Sequence, residues 1–93
     1  MAVFAVIALD PTRIHPLGDS IQEHYPNRYI LVSPGHWLIS DNVGTAKAVS
    51  ERVGIAAGNF GGAVVYNVTG YFGRAPTPVW EWLAAHSGAL GGL

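Results

Sequence analysis

The chain has 93 residues, 49% of them hydrophobic and only 12% charged, with a formal net charge of −1. One domain is the expectation at this length. The five Lys/Arg stand singly at Arg13, Arg28, Lys47, Arg52 and Arg74, which argues against strong non-specific nucleic-acid binding, and the absence of cysteine excludes disulfides, thiolate nucleophiles and thiolate metal sites.

The charged share is about half that of an average globular domain. It is too small to cover a monomer comfortably, so an apolar patch used for self-association is expected. No basic residue precedes the apolar start, and Asp10 follows too soon for a signal peptide. No run approaches the ~18 residues of a membrane span. The expectation is a soluble, cytoplasmic protein with no membrane partner.

Ala2 to Asp10 is a short continuous apolar run ended by Asp10-Pro11. Val3, Ala5, Ile7 and Leu9 alternate with Phe4, Val6 and Ala8, so both faces are apolar. That reads as a central strand covered on both sides. Next, Ile14, Leu17, Ile21 and Tyr25 form one apolar stripe at helical spacing, with Pro16 suited to a first turn. Gly18 interrupts the stripe's helix, and Tyr25-Pro26 ends it.

Arg28–Val32 and His36–Ser40 are β-rich runs joined by Ser33-Pro34-Gly35. Pro-Gly suits a type II turn, which fits a tight hairpin poorly, so a bulge or longer loop is expected there. Ser40-Asp41-Asn42 offers caps for a second helix bearing Ala46, Val49 and Val53. Gly54 fits its left-handed end, with Ile55 as the apolar contact that follows. Ala56–Gly62 reads as a flexible glycine-rich connection and Ala63–Thr69 as the last strand. There Val64, Tyr66 and Val68 share one face, and Val65, Asn67 and Thr69 the other. The aromatic loop Gly70–Pro76 follows. Thr77-Pro78 then starts a helix with Val79, Trp80 and Leu83 on one face, up to about His86.

Strand, helix, hairpin, helix, strand is the α+β, ferredoxin-like βαββαβ plan: a four-stranded antiparallel sheet with an appended C-terminal helix. The expected layout puts the first and last strands in the middle and both main helices on one face. The other face awaits a partner sheet or the helix carrying Trp80 and Trp82. Residues 1–86 form the single domain, and 87–93 a flexible tail.

Three stretches carry a resemblance: Ile7-Ala8-Leu9-Asp10, His36-Trp37-Leu38-Ile39-Ser40 and Thr45-Ala46-Lys47-Ala48-Val49. Over about residues 1–70 the chain resembles a group of small ferredoxin-like proteins. The group includes the SinR-like family, the small dimeric subunit of the CRISPR spacer-integration complex, and the virulence-associated protein D ribonuclease toxins. The resemblance implies a homodimer whose first strand ends in an aspartate that can hold a divalent metal with its dimer mate. Asp10 is the matching position. The Gly70–Pro76 loop and the Trp80/Trp82 helix match nothing in those branches.

Two readings of Asp10 follow. Paired across a dimer axis, two Asp10 carboxylates would bind Mg²⁺ and activate water for phosphodiester cleavage. His15 would then be the general acid/base, with Arg13 and Arg74 as phosphate contacts. Alternatively Asp10 is a turn-forming residue capping nearby amides, and that chemistry alone explains Asp-Pro. His15, His24, His36 and His86 show no metal-ligand spacing.

Gly58–Gly62 lacks the lysine and hydroxyl of a phosphate loop. Gly70-Tyr71-Phe72-Gly73-Arg74 is faintly similar to the aromatic motif of RNA-recognition domains, where that motif lies on the third strand. Here the third strand has one aromatic and no basic residue. Tyr71, Phe72, Trp80 and Trp82 therefore read as a packing or interface cluster.

The leading expectation is a non-enzymatic homodimeric interaction module needing no cofactor. It buries the sheet face opposite the helices, with Phe4, Val6, Val65 and Trp82 as the kind of residues that would line it. Which strand parity faces the partner stays open. The metal-dependent nuclease is the alternative. An inhibitor module that binds another protein through the aromatic loop is a third reading.

Overall fold

The structure is a computed structural model and describes residues 2–42 and 44–86. Its elements in chain order are β1 (Ala2–Ala8), a 3-10 turn (Pro11–Arg13), α1 (Ile14–His24), β2 (Tyr29–Ser33), β3 (His36–Asp41), α2 (Ala46–Val53), β4 (Ala63–Val68) and α3 (Thr77–His86). The expected α+β fold is present: a four-stranded antiparallel sheet with three helices. The expected flexible tail, 87–93, lies outside the described residues.

The strand order corrects one expectation. It is β2-β3-β1-β4, so the first and third strands are central and the last is an edge. The crossover through α1 carries the chain past one vacant position before β2. The tight hairpin turn then folds β3 into that position, leaving β4 only the far side of β1. β1 is thus bonded on both sides, pairing Val6 with Trp37 of β3 and with Val65 of β4. The Pro34-Gly35 turn takes Gly35 to φ 81°, and its misfit with strand twist shows as a register shift between Leu31 and Ser33.

Alternation sorts the side chains into two cores. Phe4 and Val6 of β1, with Trp37 and Ile39 of β3, pack against Leu17, Ile21 and Tyr25 of the first helical segment and Val49 and Val53 of α2. On the opposite face Val3 and Leu38 pack against Val79 and Leu83 of α3. Tyr71, Trp80 and Trp82 flank that second core. The C-terminal helix therefore covers the Val3 end of the apolar second face of β1.

Two local expectations change. The cap of α2 is Thr45, whose hydroxyl accepts from the Ala48 amide at 3.1 Å, not the Ser40–Asn42 stretch. Ser40 and Asp41 instead complete β3 and are buried. The connection expected to be flexible is a chain of bonded turns: the Gly58 amide donates to Ile55 O, and the Asn59 amide to Gly54 O. Phe60, within it, packs on the first core.

Candidate functional site

The end of β1 fixes Asp10. The Leu9 amide donates to Gly62 O at 2.8 Å, which extends the β1–β4 ladder one residue beyond the strands. Asp10 then stands as the N-cap of the 3-10 turn. Its Oδ1 accepts from the Thr12 hydroxyl at 2.6 Å and from the Thr12 amide at 3.0 Å. These two bonds, the hydroxyl's first, hold its carboxyl below the usual aspartate range. The other oxygen lies against Gly61, where a Cβ would come within 2.6 Å of it. Gly61 has φ 67°, so glycine serves there both for conformation and for close approach.

Of the residues expected to work with Asp10, only Arg13 lies near enough to help lower its pKa, after the Thr12 bonds. Arg13 donates to Asn59 O at 3.5 Å, tying the strand-end turn to the turn before β4. His15 is exposed and stands 3.7 Å from Asp19, one turn along α1. Arg74 is exposed on the α3 side, beside a groove of ≈ 320 Å³ shared with Tyr71, Phe72, Trp80 and His36. Burial lowers the His36 pKa. Among the described residues no group of three His, Cys, Asp or Glu side chains is placed to hold a metal ion. One chain thus offers Asp10 as a cap in a turn.

The interface residues separate by face. Phe4 and Val6 are fully buried under α1 and α2, and Val65 packs against the same core. They line the helix-covered face and cannot line the opposite one, which corrects that expectation. Trp80 and Trp82 are half-buried. The Trp80 indole donates to Ala75 O at 3.1 Å, and Tyr71 lies 5.8 Å from its ring. Trp82 stacks on His86 at 4.3 Å. Much of the aromatic cluster is therefore spent on the protein's own sheet. Phe72 alone of the group stands out, 87% exposed.

A different surface emerges from the register. α3 packs on Val3, Leu38, Ile30, Val32 and Val68. The same face continues along β1 through Ile7 to Leu9, and along β4 through Val64 and Tyr66. Ile7 and Val64 are half-buried, whereas Leu9 is 63% and Tyr66 58% exposed. This is a contiguous apolar strip. The alternations of Val3, Ala5, Ile7 and Leu9 and of Val64, Tyr66 and Val68 were its signals in the sequence. How far α3 would reach across the sheet was not encoded in any local pattern.

No protein-family model matches the chain, and no curated protein matches it. Among the described residues no helix is long and apolar enough to cross a membrane.

Proposed function

We propose that the protein is a homodimeric interaction module, working through the surfaces it joins rather than through chemistry of its own. The uncovered strip of Ile7, Leu9, Val64 and Tyr66 carries this reading. Contiguous exposed apolar surface on a small domain marks a contact site. The low charge of the chain, 12%, points the same way. Phe72, exposed on the adjoining loop, adds an aromatic anchor of the kind that dominates contact energies.

Light scattering at micromolar concentration tests the reading. The expected result is twice the chain mass, falling toward the monomer for Tyr66→Lys with unchanged circular dichroism. A native monomer over that range would overturn the proposal. A labelled RNA and DNA cleavage assay with Mg²⁺ addresses the nuclease alternative. Cleavage lost in EDTA and in Asp10→Asn, at equal dimer content, would replace the interaction reading with that one.

A further inference from the structure

We infer that two copies join edge to edge through β4, antiparallel, about a two-fold axis at Tyr66. The inference rests on the homodimer reading and specifies its geometry.

The two edges of the sheet differ. β2 is an interrupted edge: its pairing shifts register between Leu31 and Ser33, and Arg28 and Pro34 flank it. Bulges, charge and proline are the usual means of keeping an edge from pairing. β4, Ala-Val-Val-Tyr-Asn-Val, has none of them. It pairs in unbroken register with β1 and carries no charge, no proline and no glycine.

The ladder fixes which backbone groups face outward. Leu9 and Gly62 form a hydrogen-bonded pair. Pairs alternate along an antiparallel ladder, so Val64, Tyr66 and Val68 also direct their amides and carbonyls at β1. Ala63, Val65 and Asn67 present theirs to the open side. Tyr66 and Asn67 are both exposed.

A second β4 then fits without a clash of charge. With the axis at Tyr66, Val65 bonds Asn67 of the second copy, and Asn67 bonds its Val65. Tyr66 meets its own copy as a non-hydrogen-bonded pair, the closer kind, which suits aromatic contact. Val64 meets Val68 on either side of it. The strand is thus complementary to itself, as an isologous contact requires. Two sheets of four strands would become one of eight, with the two apolar strips side by side.

Such a dimer separates the two copies of Asp10. Tyr66 pairs with Ala5, and Asp10 lies five residues further along the chain. In two antiparallel copies the Asp10 residues run apart in opposite directions. At ~3.3 Å per residue they end roughly 30 Å from one another. They could not share a metal ion.

The chain has no cysteine, so single-cysteine variants report contacts without background. Tyr66→Cys is expected to form a disulfide-linked dimer on mild oxidation, since Cα atoms of a non-hydrogen-bonded pair are about 4.5 Å apart. Phe72→Cys is expected not to. A second variant acts on the backbone: Asn67→Pro deletes an outward amide and leaves the β1 ladder its donors. It is expected to weaken dimerisation at least tenfold with native circular dichroism. A wild-type dimer whose Tyr66→Cys variant forms no crosslink, or one that Asn67→Pro leaves intact, would overturn edge pairing while sparing the homodimer. A wild-type monomer would overturn both.

Discussion

Among single residues, two polar contacts decide what their side chains can do. Tyr25 lies at the end of α1, buried, and its hydroxyl donates to Asp41 Oδ2 at 3.0 Å. The Arg52 guanidinium sits 5.1 Å above its ring. Burial first, then the bond to Asp41, pushes the Tyr25 pKa up from 10.0 to about 12. The folded chain therefore holds this proton more tightly than the unfolded one. The contribution is complete below pH 10 and is lost as pH rises toward 12. Tyr25→Phe should abolish that alkaline decline and cost about 1–3 kcal/mol at neutral pH, because buried Asp41 loses a donor. Denaturant titrations at neutral and alkaline pH would check both. Asp10 has the opposite sign. Its pKa is lowered in the fold, so its contribution is present above the ordinary aspartate range and declines as pH falls through the folded value. Asp10→Asn should flatten the acid side of a stability–pH curve without altering the proposed dimer. A loss of association on that change would contradict the cap assignment.

Among the elements, α3 decides which apolar surface remains. Val79 and Leu83 are buried against Val3 and Leu38, and Trp80 is anchored by its bond to Ala75 O. Leu83→Ala should cost roughly 2–4 kcal/mol through lost burial and the cavity left behind. It should also increase binding of an apolar dye, as the sheet face opens. Thermal unfolding with and without dye gives both readouts. An unchanged melting temperature would mean that α3 is not a fixed part of the fold. Gly18 belongs with this helix packing. In the sequence it weakened the case for a helix, but a Cβ there would meet the Trp37 ring at 3.2 Å. Glycine is what lets α1 lie close to β3.

In the molecule as a whole, an uncharged edge strand and an apolar strip lie side by side, where the proposed contact would form. The proposed dimerisation through β4 would involve no charged side chain of that strand, since none occurs from Ala63 to Val68. Screening has little to act on there. The dissociation constant should therefore change by less than about threefold between low salt and ~0.5 M NaCl in sedimentation experiments. A loss of association on adding salt would point to an interface built on Arg13, Arg74 or the other scattered cations. The proposed dimer would separate the Asp10 pair, so a cleavage assay and a crosslinking assay answer opposing questions about one chain.

The elements and the fold class were legible in the order of amino acids alone. Strand and helix periods, the Pro-Gly turn, Gly54 at the end of α2 and Thr77-Pro78 at the start of α3 are local signals, and each lies where its backbone demands it. The two-sided apolar pattern of Ala2–Leu9 also announced that both sheet faces would carry apolar side chains, as the two cores show. Packing settled what periodicity cannot carry. Strand order depends on which gap the crossover leaves, so β3 rather than β4 became central beside β1. Face assignment depends on where the helices land, so Phe4 and Val6 went to the core while Leu9 and Tyr66 stayed exposed. The cap of α2 passed to Thr45 because β3 ran on through Asp41. The ambiguity at Asp10 had the same origin, since its neighbours Thr12 and Gly61 lie two and fifty-one residues away. Alternation says that two faces exist. Only the packed chain says which of them meets water.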